Sequence, residues 1–172
     1  MTRAFVRLSR SAFVLVVVGL AAGCVFTVAT DPNAYPVAAD DFPALTSGTK
    51  VEIVNSFPSS YLARMNGNQQ ADLREFTQTA VVVLGRALEK KGAVLVAGGT
   101  KIALQVTGPT WTQGFGFVRG SVSLEAELGA TKVSVWGEAA GVDASRDFSA
   151  AITHAVEALL RKPELRDYLS KP

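Results

Sequence analysis

The sequence contains few of the residues that carry most enzyme chemistry. Its 172 residues include one cysteine, Cys24, and one histidine, His154. A metal centre of thiolate and imidazole ligands needs several such side chains, and a nucleophilic serine or cysteine needs a base beside it. No serine stands in the Gly-x-Ser-x-Gly motif of hydrolases, and His154 is expected to face solvent. We therefore expect no enzyme, no metal and no other cofactor.

Nucleotides and nucleic acids are also poorly supported as ligands. Gly114, Gly116 and Gly120 have the spacing Gly-x-Gly-x-x-x-Gly, but they lie between two predicted strands. A phosphate-binding loop needs a helix after it. Without three arginines among its first 23 residues, the chain has 14 of its 17 Lys+Arg against 15 Asp+Glu, a net charge near −1. That balance is not typical of nucleic-acid binding.

The first 24 residues have the features of an export signal. A short basic segment precedes an apolar run over 12–22, about half of the roughly 20 residues that a membrane-spanning helix needs. Small residues then lead to Cys24, at the place where a signal is cleaved. An uncleaved membrane anchor and an ordinary secretory signal are the alternatives. An ordinary secreted protein would usually pair its cysteines. The basic residues are Arg3, Arg7 and Arg10.

The segment from Leu20 to Cys24 resembles the lipobox of bacterial lipoproteins. In that family a signal peptidase cleaves before the cysteine and the thiol carries a diacylglycerol, so the resemblance implies lipidation of Cys24. Two or three acyl chains, such as palmitate, would hold the protein firmly on a membrane. Val25 stands where an aspartate usually signals inner-membrane retention. The resemblance therefore implies the outer membrane of the bacterial cell envelope, with the protein facing the periplasm.

The rest of the chain divides into a linker and one domain. Residues 1–23 are the expected signal peptide, and residues 24–49 have scattered prolines and no sustained periodicity, which favours an extended tether. Packing of Phe42 and Leu45 as a first loop or edge strand is the alternative. Residues 50–172 have the length and the apolar patterning of a single domain.

The periodicity of residues 50–172 predicts the order β-α-β-β-β-α. A strand over 50–55 precedes an amphipathic helix over 71–91, and an alternating pattern then predicts three antiparallel strands from 100 to 136. A second amphipathic helix runs from about 145 to 162 and ends before Pro163, which begins a terminal turn. We expect an α+β fold, in which one antiparallel or mixed sheet of about four to five strands packs two amphipathic helices on one face.

The lipobox and this element order together resemble small outer-membrane lipoproteins, such as the lipopolysaccharide-assembly lipoprotein and the YajG-like proteins. The resemblance covers the signal and most of the mature chain, and it includes no diagnostic motif. It implies the architecture and the outer-membrane location. It assigns no functional residue.

Four aromatic residues are candidates for contact with a partner or with lipid. Trp111, Phe115 and Phe117 lie among glycines at an expected hairpin tip, and loop positions often display binding groups. Trp111 and Phe117 could instead pack inward, with Phe115 as a turn residue. Trp136 alternates with core positions, so it would be an exposed interface residue if that face of the sheet is uncovered.

These observations favour a non-enzymatic adaptor or assembly factor that docks on an envelope protein through its sheet face or its aromatic hairpin. The alternative is a carrier of lipid or another apolar ligand between helices and sheet. A carrier needs a pocket, which small helix residues could leave open. Oligomeric state stays open. The small residues are Ala80, Ala87, Ala155 and Ala158.

Overall fold

The computed structural model describes residues 25–65 and 68–170. The predicted signal peptide and Cys24 lie outside these residues. The strands are β1 (Phe26–Val28), β2 (Lys50–Asn55), β3 (Leu62–Arg64), β4 (Gln69–Asp72), β5 (Val94–Leu95), β6 (Thr100–Gly114), β7 (Phe117–Leu128) and β8 (Thr131–Gly141). The helices are α1 (Leu73–Lys90), α2 (Ala144–Leu160) and α3 (Pro163–Leu169). The predicted α+β class is confirmed.

Five strands form the main sheet in the order β5-β2-β6-β7-β8. The strands β6, β7 and β8 are antiparallel neighbours, as the alternating pattern predicts, whereas β2 pairs in parallel with both β5 and β6. The sheet is therefore mixed. Because β8 has a partner on one side within this sheet, its eleven residues form a long edge strand.

Both long helices pack on one face of the main sheet. Phe76, Leu84 and Leu88 on α1 are buried, as are Phe148, Ile152 and Leu159 on α2, and all of them join the core beneath the sheet. Burial of each such side chain contributes roughly 1.5–3 kcal/mol. The ring centroids of Phe76 and Phe148 lie 5.3 Å apart, so these two side chains connect α1 and α2.

A glycine in β8 brings α2 unusually close to the sheet. A Cβ atom added at Gly137 would overlap the carbonyl oxygen of Ala151 and the backbone nitrogen of Ala155. Helix backbone therefore rests directly on strand backbone at this point, and Ala155 is fully buried there. The small residues of this interface close the gap between helix and sheet.

A second, smaller sheet is the main addition to the predicted architecture. Its three strands have the order β1-β4-β3, with β1 parallel and β3 antiparallel to β4. Val28 and Ala71 face each other in the register and are both buried. Since β4 leads directly into α1, this sheet lies at the N-terminal end of that helix.

The prediction of an extended tether is wrong for the described part of that segment, residues 25–49, which we call the strap. The strap crosses both helices, and Phe42 is only 2% exposed. This matches the alternative in which Phe42 and Leu45 pack against the domain. A free tether would expose these apolar side chains to water, which burial avoids.

Hydrogen bonds hold the strap to the helices from their N-terminal to their C-terminal ends. Ser145 Oγ donates to the Ala29 carbonyl (2.7 Å), and the Thr30 N–H donates to Glu75 Oε1 (3.1 Å). Further along, the Ala38 N–H donates to Glu157 Oε1 (2.8 Å). The strap runs from the N-terminal toward the C-terminal end of both α1 and α2. Their N-termini therefore lie at the same end of the domain.

Candidate functional site

The hairpin between β6 and β7 displays aromatic side chains to different degrees. At its tip, residues 114–117, Phe115 is completely exposed and Phe117 is 44% exposed. Trp111 is half-buried and packs against the core. Of the candidates there, the structure places Trp111 inward and leaves Phe115 and Phe117 available for contact.

The outer face of the main sheet carries Trp136 in an exposed position. This side chain is 56% exposed on the edge strand β8, on the opposite face from the buried Val133 and Val135. Its immediate surroundings are polar, with Ser134 exposed two residues away and Ser123 facing it across the β7–β8 register. An indole in this setting has the character of an interface residue.

The only histidine of the sequence lies at the edge of the same strand. His154 is exposed, as expected, and its Nδ1 lies 2.7 Å from the carbonyl oxygen of Glu138 in β8. Unpaired edge groups invite pairing with another chain, and natural proteins protect them. We interpret His154 as a side chain that covers part of this edge.

Exposed apolar side chains gather where α1 and α2 begin, and we call this surface the apolar end. The hairpin tip lies beside Val142, and Ser145, three residues further on, binds the strap at Ala29. The strap in turn leads back to β1 and the small sheet. The apolar end consists of Val25, Phe26, Tyr61, Leu62, Phe115, Phe117 and Val142.

The first turns of the two long helices contain carboxylates in contrasting environments. Asp72 caps α1; burial raises its pKa, but hydrogen bonds from the Ser60 hydroxyl and from the backbone at Tyr61 and Arg74 outweigh burial and hold the pKa below its ordinary value. Asp147 in α2 is 5% exposed, and burial, reinforced by the negative charge of Asp143, raises its pKa.

Asp147 is the one charged residue that is buried among the residues the structure describes. Its carboxylate packs against Gly141, where a side chain would overlap Oδ1, and Oδ2 has no hydrogen-bond partner. Sequence reasoning missed this residue because an aspartate in the first turn of a helix is ordinary. A buried, perturbed carboxylate can mark a functional site, but within the described residues Asp147 belongs to no group of three or more histidine, cysteine, aspartate or glutamate side chains that could hold a metal ion.

Over the described ranges, the structure offers no set of three or more side chains suited to hold a metal ion. Of the small residues that could have left a carrier pocket open, Ala80, Ala87 and Ala155 are fully buried, and Ala155 lies at the close contact between α2 and Gly137. The carrier hypothesis thus gains no support from them. None of the described helices is both long enough and apolar enough to cross a bilayer.

Comparison with known proteins identifies no family. No family model matches the chain, and no curated protein matches it. A solved structure described as "Crystal structure of uncharacterized protein" is 14% identical, and the match covers 74% of this chain and 93% of that one. With a TM-score of 0.32, this similarity carries no argument about fold or function.

Proposed function

We propose that the protein is a lipid-anchored, periplasm-facing lipoprotein of the bacterial outer membrane that acts as a non-enzymatic adaptor or assembly factor for an envelope complex. The observation that carries the adaptor role is Trp136, which is 56% exposed on an edge strand of a sheet whose other face is packed by helices. The lipid anchor is proposed from the lipobox-like segment that ends at Cys24.

The position of Trp136 suits recognition of another protein. Large aromatic side chains surrounded by polar residues are the commonest energetic centres of protein interfaces, because they bury much area with little loss of conformational freedom. The part of the β8 edge that His154 does not cover adds backbone donors and acceptors near this side chain. A partner that packs on Trp136 could therefore also align with the strand.

The lipid anchor is tested by replacing Cys24. We expect the protein with its native sequence to float with membranes and to yield an N-terminal peptide whose mass includes acyl chains. Cys24→Ser should leave the protein in the soluble fraction. Recovery of the unmodified native protein in the soluble fraction would disprove the anchor.

The adaptor role is tested by a photo-crosslinking amino acid at position 136, with position 89 as control. Glu89 is exposed on α1, in the helical layer on the other side of the sheet. We expect one dominant protein adduct from position 136 in intact cells and none from position 89.

A substitution series at position 136 then measures what the side chain contributes. We expect Trp136→Asp to abolish recovery of the crosslinked partner by affinity purification, whereas Trp136→Phe retains part of it, because an aromatic ring still fills the contact. Equal recovery with all three side chains, at unchanged thermal stability, would show that this face is not the docking surface.

A further inference from the structure

The chain leaves little distance between the proposed lipid anchor and the folded domain. Two residue steps, at most about 7 Å of chain, separate Cys24 from Phe26. The Phe26 N–H donates to the Asn68 carbonyl (2.9 Å), and β1 pairs with β4 from this residue onward. An acyl-bearing Cys24 would therefore hold the small sheet at the bilayer surface.

Because the strap is packed against the domain, it cannot act as a long flexible linker between Cys24 and the domain. It is bound to α2 at Ala29 and to both helices beyond that point, and Phe42 is buried near its far end. Release of the strap as a tether would break these hydrogen bonds and expose the Phe42 ring to water. With Cys24 lipidated, the domain would therefore meet the membrane with the end that carries β1.

The exposed side chains at that end are suited to the interface between water and lipid. Phe115 is completely exposed at the hairpin tip, and Val142 beside it is 86% exposed. Phe26, next to the anchor, is 65% exposed. Single exposed apolar residues are common, whereas a group of them on one surface usually has a partner.

We propose that the apolar end rests on the lipid bilayer and inserts Phe26, Phe115 and Val142 among the headgroups; this inference rests on the proposed lipidation of Cys24. Amphipathic protein surfaces bury apolar side chains about 5–10 Å deep at the boundary between headgroups and acyl chains. The short connection from Cys24 selects the bilayer as occupant, since any protein bound there would have to lie between the domain and its own anchor.

This arrangement would fix the orientation of the whole domain. The long strands β6, β7 and β8 lead away from the hairpin tip, so the sheet would rise from the membrane and present Trp136 above it. The end with the β7–β8 turn and α3 would point into the periplasm. Its exposed charged residues are Glu127, Lys132, Arg161, Glu164, Arg166 and Asp167.

The inference is tested with nitroxide spin labels on the full lipidated protein in vesicles of phosphatidylethanolamine and phosphatidylglycerol. Phe115→Cys and Val142→Cys report on the apolar end, and Lys132→Cys and Asp167→Cys are matched controls at the opposite end. All four positions are exposed, so a label there should leave the fold intact. Cys24 does not react because its thiol is occupied by lipid.

For each spin label, the relaxation that oxygen causes is compared with the relaxation that a water-soluble nickel complex causes. Oxygen concentrates in lipid, whereas the nickel complex stays in water. We expect the oxygen-to-nickel ratio at positions 115 and 142 to be several-fold higher than at positions 132 and 167. In the same proteins with Cys24→Ser and without vesicles, the labels at 115, 142, 132 and 167 should give similar ratios.

Flotation of the vesicles separates this inference from the proposed anchor. If the protein does not float with the vesicles, the anchor itself fails. If it floats and all four labels give equal ratios, the anchor survives and the bilayer contact of the apolar end is wrong. Higher ratios at 132 and 167 than at 115 and 142 would mean that the domain lies with its other end on the membrane.

Discussion

The two ends of the domain have similar interiors and different surfaces. At the apolar end, Phe76 and Phe148 pack beneath the sheet, and at the other end Leu165 and Leu169 of α3 are buried in the same core. The surface at the first end exposes Phe115 and Val142 beside charged residues such as Asp143, whereas α3 at the second end exposes charges, as on Glu164 and Asp167. Folding requires buried apolar residues at both ends, but it does not require the exposed ones. The difference between the surfaces therefore points to function.

Three other exposed apolar side chains do not belong to the apolar end. Val94 and Leu95 form the edge strand β5, and Val96 follows it directly. Leu95 packs its side chain toward Gly85 of α1, where an added Cβ would lie 2.9 Å from Leu95 Cδ1. This strand forms the edge of the sheet and follows directly after the C-terminus of α1, at the end of the domain away from the hairpin tip.

The largest loss of stability is expected from a substitution in the strap, at the end of the domain opposite the apolar end. Phe42→Ala removes a fully packed ring, and we expect a loss of about 3–5 kcal/mol in the free energy of unfolding. Urea denaturation of the Cys24→Ser protein measures it. Thr46→Ala, at an exposed position of the same segment, should change stability by less than about 0.5 kcal/mol. Equal effects of the two substitutions would mean that the segment is a tether after all.

The next largest effect concerns the contact that holds α2 to the sheet. Gly137→Ala places a Cβ against the helix backbone at Ala151, and we expect a loss of about 2–3 kcal/mol because backbone at both sides must shift. Ser134→Ala, on the exposed face of the same strand, is the control and should be nearly neutral. Thermal unfolding compares them. A neutral Gly137→Ala would contradict the close approach.

A gain in stability is expected at the buried carboxylate of the apolar end. An unpaired charge is unfavourable in the interior, so Asp147→Asn should stabilise the protein by about 1 kcal/mol at neutral pH. Because the folded-state pKa of Asp147 is raised, its ionisation lowers stability as pH rises through that pKa.

The advantage of Asp147→Asn should therefore disappear as pH falls below the ordinary aspartate pKa, about 4, where the native residue is protonated in both states. Urea denaturation as a function of pH measures this. Asp167→Asn, an exposed site at the other end, should show no such dependence. A variant that loses stability at every pH would indicate that the carboxylate has a stabilising partner.

The smallest effect is expected at the hairpin tip. Phe115 is completely exposed, so Phe115→Asp should change the free energy of unfolding by no more than about 0.5 kcal/mol. The same measurement on Phe148→Ala, a buried ring at the same end, should show a loss of about 3–5 kcal/mol. A large loss of stability from Phe115→Asp would mean that this ring packs against the domain. The apolar end would then expose fewer apolar side chains, and the two ends would differ less.

The elements with strong periodicity were predictable because their pattern is local. The apolar stripe of α1, from Leu73 to Leu88, and the alternation of β7 from Val122 to Leu128 both match the burial that the structure shows. Each pattern follows from the geometry of a single helix or strand that buries one face. The same alternation predicts Trp136 on the face opposite Val133 and Val135, where the structure shows it exposed.

The strap and the small sheet were not predictable in this way. Their stabilising contacts join distant parts of the chain, such as Asp31 with Ser149 and Ala38 with Glu157, which are 118 and 119 residues apart. Prolines and isolated apolar residues give such a segment no period, so it has the composition of a linker. The sequence predicts the hairpin aromatics as candidates, but it gives Trp111 and Phe117 the same two alternatives. Only the packing shows that Trp111 lies inward while Phe117 stays 44% exposed.

The sequence by itself determined the α+β class, the order of the main elements and the face that each of them buries, because these depend on patterns within about twenty residues. The tertiary structure decided that residues 25–49 close over the helices and that seven exposed apolar side chains from four separate parts of the chain lie at the same end of the domain. Both features bring together residues that are far apart in the sequence. They depend on how the elements are arranged in space, and no local pattern encodes that arrangement.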